Sequence, residues 1–167
     1  DTVSSFAKAL IDAKRNLMYC SQCGHITDID PCHICQDQQR NPSMICVVQD
    51  PKDVIAMEKM RDYNGLYHVL HGAISPMDGV APTDLEIESL IARIQTGEIR
   101  EVILALPTTM EGDTTNFYIY RRIKGVQQAN DLQVSQIARG VAIGNELEYT
   151  DEITLGRSIV NRIEFKI

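Results

Sequence analysis

The stretch Cys20-Ser21-Gln22-Cys23, followed by Cys32-His33-Ile34-Cys35, decides the fold of the first part of the chain. Each Cys-x2-Cys pair is typical of a short turn that points two thiolates at one place, and eight residues separate the two pairs. Zn²⁺ takes four ligands in a tetrahedron with zinc–sulfur distances of about 2.3 Å, and two such turns supply them. Gly24 and Pro31 stand where sharp turns need them. The spacing predicts one zinc ion bound by Cys20, Cys23, Cys32 and Cys35.

The same cysteines admit other interpretations. They could form two disulfide bonds, or one pair could be a redox-active Cys-x-x-Cys. Redox motifs occur singly, and the rest of the chain favours a reducing compartment, so zinc is the preferred interpretation. His25 and His33 could each replace a thiolate, but with four well-placed cysteines we expect them to support the ligands instead. Because four protein ligands leave no position for a substrate, the site is predicted to be structural.

Length and composition limit what the rest of the chain can be. Its 167 residues suffice for one ordinary domain plus a small appendage, and a hydrophobic content of 44% indicates a packed core. The formal net charge of −7 argues against a free-standing nucleic-acid-binding domain, which needs a basic surface. No apolar run is long enough to cross a bilayer, and the start does not resemble a signal peptide. We expect a cytoplasmic protein in which the fifth cysteine, Cys46, is a small core residue.

Hydrophobic periodicity divides the chain into four parts: an N-terminal helix (1–18), the four-cysteine zinc ribbon (19–40), an α/β domain (41–139) and a C-terminal tail (140–167). The first helix is predicted to bury one apolar stripe. In the α/β domain, buried-type strands alternate with helices, which is typical of βαβ units and a mainly parallel sheet. Strands are predicted at 45–48, 67–70, 101–106 and 134–138, and helices at 52–60, 85–95 and 114–124, with residues 36–43 as a polar linker.

The tail differs from the domain before it. A flexible turn at 140–145 precedes a predicted short helix at 154–161 and a possible strand at 163–167. Their apolar side chains need a surface against which to be buried, and a partner subunit is one such surface. The side chains concerned are Ile159, Ile163, Phe165 and Ile167.

Two groups of charged residues are candidate binding groups. Lys14 and Arg15 suit the negative end of the first helix dipole or, alternatively, a phosphate. Asp50 follows the first strand of the domain, and Glu111 and Asp113 form an acid-Gly-acid triplet in a predicted loop after the third. Sites in parallel sheets form at these strand ends, and such a triplet can aim two carboxylates at one Mg²⁺. Acidic loops also commonly just face water, so both interpretations stay open.

This combination of a four-cysteine ribbon, a strand-end acid and a distal acidic loop resembles the RecR family of bacterial recombination mediators. The resemblance covers essentially the whole chain and implies an α/β fold in which the zinc ribbon precedes a Toprim-like, mainly parallel sheet with flanking helices. The stretches that carry it are 14–17 (KRNL), 45–54 (ICVVQDPKDV), 70–79 (LHGAISPMDG), 101–105 (EVILA), 111–113 (EGD), 139–140 (RG) and 146–149 (ELEY).

The resemblance implies a non-enzymatic subunit of a DNA clamp for repair and recombination. Family members form ring-shaped tetramers on DNA, exchange C-terminal tails between subunits, and with RecO and RecF help RecA to replace single-strand binding protein on gapped DNA. The family begins with a helix-hairpin-helix module, whereas this chain begins at Asp1 without a methionine. We therefore expect a fragment that binds DNA weakly, with Lys14, Arg15 and Arg40 as contacts, and that dimerises through its tail.

Departures from the family pattern limit what the acids can do. Toprim enzymes place a glutamate where this chain has Gln49, and an amide cannot act as a general acid or base near neutral pH. The usual Thr-Asn-Pro before the acidic loop is replaced by Leu-Pro-Thr-Thr at 106–109. We therefore expect Asp50, Glu111 and Asp113 to act chiefly as a docking surface, for RecO, with Mg²⁺ binding there as the alternative.

The segment 145–151 resembles the part of the family described as Walker-B-like. Its acids are Glu146, Glu148 and Asp151. Without a glycine-rich phosphate loop and its lysine, this segment is not expected to hydrolyse ATP alone.

The alternative function is enzymatic. A Toprim-type, Mg²⁺-dependent nuclease, topoisomerase or primase fragment would use Glu111 and Asp113 as metal ligands. A topoisomerase needs a tyrosine nucleophile on a separate domain, and the six tyrosines here have no visible partner base. A third alternative is a zinc-ribbon adaptor that binds only protein.

Overall fold

The computed structural model describes residues 1–126, 131–144 and 146–164, in two compact units, Asp1–Ser135 and Gln136–Ile167. The helices are α1 (Thr2–Asn16), α2 (His33–Gln36), α3 (Pro51–Met60), α4 (Ile87–Gln95), α5 (Met110–Lys124) and α6 (Glu152–Val160). The strands are β1 (Met18–Tyr19), β2 (Ile26–Thr27), β3 (Asn41–Val48), β4 (Gly65–Val69), β5 (Glu101–Leu104) and β6 (Gln133–Gln136). None of the helices in these ranges combines the length and the apolar character needed to span a membrane.

The first unit holds two sheets. β1 and β2 form a small antiparallel pair, and the larger sheet has the strand order β4-β3-β5-β6. β3 pairs in parallel with both of its neighbours, so that Cys46 stands opposite Tyr67 on one side and Ile103 on the other. The prediction of a mainly parallel sheet with flanking helices is confirmed.

The central strand β3 is buried on both faces, as its continuous apolar run predicts. Ile45 and Val47 belong to the larger core cluster, which includes the apolar sides of α4 and α5. Cys46 and Val48 belong to a smaller cluster on the other face, with Val54 of α3. Burial raises the pKa of the Cys46 thiol to about 12, in agreement with its predicted role as a core residue.

Several predicted boundaries are wrong by two to four residues; β5, for example, ends at Leu104 rather than at 106. β3 begins at Asn41, inside the predicted polar linker, because the Asn41 amide donates to the Asn64 carbonyl at 2.7 Å. α4 begins at Ile87, because Asp84 belongs to a 3₁₀ turn and its carboxylate accepts from the Ala81 amide at 2.8 Å. α5 begins at Met110 rather than 114.

α1 forms where the periodicity predicts it, but its apolar stripe is not buried. The Asp1 carboxylate caps the helix by accepting from the Val3 amide, and Lys14 and Arg15 occupy the last turn. No residue of α1 is buried, and Phe6 is 66% exposed. The prediction of a buried stripe is therefore wrong for the single chain.

The second unit contains α6, which begins at Glu152, two residues before the predicted start at 154. The Asp151 carboxylate accepts from the Thr154 amide at 2.9 Å and so caps the helix. Residues 163–164 are not in a strand, and 165–167 lie outside the described residues, as does Asn145 of the predicted flexible turn. Large apolar side chains of this unit, including Ile153, Ile159 and Ile163, are exposed.

Candidate metal centre and charged surfaces

The sulfur atoms of Cys20, Cys23, Cys32 and Cys35 converge on one point. Their Sγ atoms all lie within 4.8 Å of one another, with Cys23–Cys32 at 3.6 Å and Cys20–Cys35 at 3.9 Å. Four sulfurs at about 2.3 Å from one tetrahedral zinc are separated by about 3.8 Å, so the observed spacing fits that ion. All four thiols are free, which contradicts the disulfide interpretation.

Local backbone structure places each thiol. The β1–β2 pair ends in a turn closed by hydrogen bonds from the Cys20 amide to the His25 carbonyl (2.8 Å) and from the Gly24 amide to the Cys20 carbonyl (2.9 Å). Gly24 has a φ of +75°, a conformation that favours glycine. Cys32 stands at the N-cap of α2, and Cys35 lies one turn later inside that helix. Each Cys-x2-Cys pair therefore lies in a turn of fixed geometry.

The surroundings favour thiolates. The His25 amide donates to the Cys23 sulfur at 3.4 Å, and the Cys32 amide donates to the Cys20 sulfur at 3.3 Å. Three of the four cysteines, all but Cys35, are almost fully buried. Hydrogen bonds from backbone amides stabilise negative sulfur in such a site.

The thiols do not ionise together without a cation. A hydrogen bond from Cys35 lowers the pKa of Cys23 to about 5, whereas burial raises the pKa of Cys32 to about 11. Donating that hydrogen bond, together with burial, also raises the pKa of Cys35. A divalent ion supplies the charge that holds four thiolates in one buried place, so the chemistry of the donor set fits zinc.

The two nearby histidines are not part of the ligand set. Among the described residues, the four cysteines are the only group of three or more Cys, His, Asp or Glu side chains that gathers in this way. His33 begins α2, and the Nδ1 atom of His25 is buried with no hydrogen-bond partner in the described part of the chain. The structure therefore favours four thiolates over a histidine ligand.

The zinc ribbon is attached directly to the larger sheet. The Val69 amide, at the end of β4, donates to the carbonyl of the ligand Cys23 at 2.8 Å. A side chain at Gly24 would lie 3.0 Å from the His71 ring and 3.1 Å from the Val69 carbonyl, so glycine allows this close approach. The rings of Tyr19 and His71 meet edge to face at 4.4 Å. The zinc site therefore fixes the position of a ribbon that packs against the α/β body.

Comparisons with known proteins agree with this arrangement. The family described as the four-cysteine zinc finger domain of RecR matches residues 17–37, the Toprim domain family matches 43–138, and the family described as "RecR, C-terminal" matches 140–163. Proteins named Recombination protein RecR from Staphylococcus saprophyticus and Staphylococcus aureus strain JH9 are each 56% identical over 164 residues, which is 98% of this chain and 81% of each relative. This chain belongs to the RecR family. Its four cysteines hold the structural zinc of the RecR zinc finger.

Arg40, an expected DNA contact, also forms an ion pair inside the protein. Its guanidinium binds the Glu58 carboxylate through two contacts, at 2.6 and 3.0 Å, and donates to the Gly65 carbonyl at 3.1 Å. The Tyr67 hydroxyl donates to the same carboxylate at 2.7 Å. The Arg40 side chain is only 13% exposed. The Nε atom has no hydrogen-bond partner in the described part of the chain and lies 3.7 Å from the Asp37 carboxylate. A DNA contact at Arg40 stays a prediction.

Lys14 and Arg15, the other two expected DNA contacts, are exposed on the last turn of α1. Their position suits the negative end of the helix dipole and also leaves both side chains accessible to a ligand. A DNA contact at these two residues stays a prediction.

The acid-Gly-acid triplet was predicted to lie in a loop. The prediction is wrong, because the triplet forms the first turn of α5. Thr109 caps this helix through its hydroxyl oxygen, which accepts from the Gly112 amide at 3.1 Å. Glu111 and Asp113 therefore complement the positive end of the helix dipole, which gives them a structural reason to be acidic.

The structure does not bring Asp50 together with this pair as one metal-binding group, since in the described ranges no three acidic side chains gather as closely as the cysteines do. Asp50 stands at the N-cap of α3, where its carboxylate lies 3.1 Å from the Lys52 ammonium. A docking role for Asp50, Glu111 and Asp113 stays a prediction, as does Mg²⁺ binding.

The acids of the Walker-B-like segment lie on the surface of the second unit. Glu146 precedes a 3₁₀ turn (Leu147–Tyr149), Glu148 lies within that turn, and Asp151 caps α6. Hydrogen bonds from Thr154 lower the pKa of the Asp151 carboxyl, as expected of a helix cap. Asp151 therefore stabilises the start of α6, and a nucleotide role for the three acids stays a prediction.

His68 is a buried polar residue that the sequence pattern did not single out. Its Nε2 lies 2.6 Å from the Glu86 carbonyl, and its Nδ1 lies 3.3 Å from the Arg93 guanidinium. Burial, reinforced by the charge of Arg93, lowers the pKa of His68 to about 4, so the ring is neutral near pH 7. A neutral ring with the proton on Nε2 satisfies both contacts, and His68 thereby ties β4 to the start of α4.

Replacing Gly112 by alanine is expected to destabilise the first unit by about 2 kcal/mol. Alanine is the better helix former by about 1 kcal/mol. An added Cβ at this buried position, however, would overlap the Pro107 carbonyl oxygen. Overpacking against backbone costs about 3 kcal/mol, so the propensity gain of about 1 kcal/mol leaves a net loss of about 2 kcal/mol. Urea unfolding measures the effect. Gly125→Ala, at the other end of α5 with ordinary contacts, is the control and should be nearly neutral; a more stable Gly112→Ala protein would contradict the close packing.

Proposed function

We propose that this chain is a non-enzymatic subunit of a DNA clamp that mediates recombination and repair. The observation that carries the proposal is its 56% identity, over 98% of the chain, to proteins named Recombination protein RecR. In this proposal the subunit works with RecO, and in some settings RecF, so that RecA replaces single-strand binding protein on gapped DNA. The zinc ion holds the ribbon against the sheet and takes no part in chemistry.

Self-association belongs to the same proposal. α6 and the residues after it expose large apolar side chains, including Ile153, Ile159, Val160 and Ile163. Several large exposed apolar side chains in one short segment favour a surface that another protein chain covers. We infer that the tail is exchanged between subunits, giving a dimer of this chain and a larger ring when further interfaces are present.

DNA binding is expected to be weak and to fall steeply with salt, because the chain carries a formal net charge of −7 and its expected contacts are few cations. The logarithm of the binding constant falls with the logarithm of the salt concentration, and each lost phosphate contact makes this slope shallower by about 0.7–0.9. The double variant Lys14→Gln/Arg15→Gln is therefore expected to have a shallower slope, measured by fluorescence anisotropy with gapped DNA. Lys8→Gln, which removes one exposed cation from the middle of the same helix, is the control.

Function itself is tested by RecA loading. With RecO and single-strand binding protein on gapped DNA, adding the chain should shorten the lag of RecA ATPase activity, and the DNA should stay intact with Mg²⁺ or Mn²⁺. No effect on the lag would contradict the mediator role. Metal-dependent cleavage that disappears in Glu111→Ala would instead support the Toprim nuclease alternative.

A further inference from the structure

The C-terminal half of α5 carries exposed aromatic rings that the core does not use. Phe117 is 63% exposed and Tyr120 is 42% exposed, although aromatic residues make up only 5% of the chain. The opposite side of the same helix is buried in the first unit through Thr115, Ile119 and Ile123. The rings are therefore held on a rigid element whose other side is anchored.

Cations accompany these rings. Residues 117–124 (FYIYRRIK) contain three basic residues and no acid, in a chain with a formal net charge of −7. Arg122 binds Glu88 of α4, with a contact of 2.8 Å from its second guanidinium nitrogen. Arg121 and Lys124 are exposed, and within the described ranges neither forms an ion pair with a carboxylate.

Each ring has one of these cations beside it. The Arg121 guanidinium lies 5.8 Å from the centre of the Phe117 ring, and the Lys124 ammonium lies 5.4 Å from the centre of the Tyr120 ring. Side chains three and four residues apart on a helix are neighbours, so these four residues form one continuous surface. We call Phe117, Tyr120, Arg121 and Lys124 the α5 face.

We propose that the α5 face binds single-stranded DNA, with bases stacked on Phe117 and Tyr120 and phosphates bound by Arg121 and Lys124. Aromatic rings accept any base because every base has a flat face, and neighbouring cations follow the backbone. Bases in a duplex are already stacked, so the face selects single strands. This inference rests on the proposed function and adds a DNA-contacting surface to it.

The charge along α5 sets the limits of this surface. Glu111 and Asp113 in the first turn repel phosphate, whereas all charged residues in the last turns are basic. The strand is therefore confined to the C-terminal half of the helix. A purely apolar docking face would not need a cation beside each ring, and this pairing favours a nucleic acid over a protein partner.

The test compares base-dependent binding in matched variants of the whole chain. Fluorescence anisotropy is measured with labelled oligothymidylate and with an abasic strand of equal length. The unaltered chain should prefer the strand with bases, and Phe117→Leu/Tyr120→Leu should lose about tenfold of its affinity for that strand and bind both strands equally. Phe6→Leu, which removes an exposed ring from α1, should keep the preference.

The outcomes separate this inference from the proposed function. Failure of the unaltered chain to bind either strand would overturn both. If the double variant kept the same base preference, only the inference would be overturned. Loss of self-association in the double variant would also overturn only the inference, because it would assign the α5 face to a second copy of the chain. Photocrosslinking of the unaltered chain to 5-iodouracil DNA gives a check without substitution: the adduct should lie on Phe117 or Tyr120, and an adduct elsewhere would contradict the proposal.

Discussion

Replacing Cys23 by serine is expected to abolish zinc binding and unfold the ribbon. Cys23 is buried, its sulfur lies 3.6 Å from that of Cys32, and its carbonyl accepts the hydrogen bond from the end of β4. Apparent binding energies of about 10–16 kcal/mol for structural zinc are as large as the whole stability of a typical domain. Loss of the ion therefore removes more energy than the ribbon can replace.

Hydrogen exchange measures this result region by region. In Cys23→Ser, or after chelation, amides of residues 18–36 should lose protection, and the amide of Val69 should exchange faster because its acceptor has moved. Cys46→Ala is the control, since Cys46 is also a buried cysteine but belongs to the core of the sheet. That variant should keep one zinc per chain and lose only about 1 kcal/mol. A Cys23→Ser protein with unchanged protection of the ribbon would contradict the structural role of the metal.

Replacing Arg40 by methionine should cost about 2 kcal/mol of folding stability. Methionine keeps much of the apolar stem but leaves the partly buried Glu58 carboxylate without its main partner, and a partly buried ion pair lies between the exposed and the fully buried case. Lys52→Met is the matched control, because it removes an exposed partner of Asp50 and should change the stability by less than about 1 kcal/mol. Chemical denaturation gives both values. If Arg40→Met left stability unchanged and instead weakened DNA binding, the predicted DNA contact would be right.

The effect of Arg40 should also depend on pH. Burial alone would raise the pKa of Glu58, but hydrogen bonds from Arg40 and Tyr67 outweigh burial and lower it below the ordinary value of 4.5. A carboxyl whose pKa is lowered on folding contributes stability that is complete above its ordinary pKa and is lost as the pH falls through the lowered value. The stability difference between the unaltered chain and Arg40→Met should therefore be constant near neutral pH and shrink as the pH falls below the ordinary value of 4.5.

The zinc site could be predicted from sequence because its information is local. Cys20 and Cys23 share one turn, Cys32 and Cys35 share another, and the chemistry of sulfur and zinc fixes how the two must meet. The buried strand around Cys46 was equally predictable, since a continuous apolar run between turn residues has few other structures available to it.

The role of Arg40 could not be predicted in this way. Its partner Glu58 lies 18 residues later and on a different element, so nothing near Arg40 in the sequence distinguishes a structural ion pair from a DNA contact. The triplet at 111–113 was misplaced for a related reason: Gly112 argues locally for a loop, whereas the structure uses it to bring the helix close to Pro107. Long-range packing decided both cases.

The apolar stripe of α1 gives a third lesson. Its period is helical and the helix forms, but periodicity reports that a face must be covered, not which chain covers it. The same holds for the exposed side chains of α6. Sequence patterns predicted the helices α1 and α6, and the structure of one chain shows that their apolar faces are exposed.

X-ray absorption at the zinc edge, combined with metal analysis of the purified chain, tests the central claim most directly. We expect one zinc per chain, surrounded by four sulfur atoms at about 2.3 Å. A nitrogen or oxygen atom in the zinc coordination shell would contradict the four-thiolate site, and a folded chain without metal, with its thiols free or bridged, would contradict the structural role of zinc altogether.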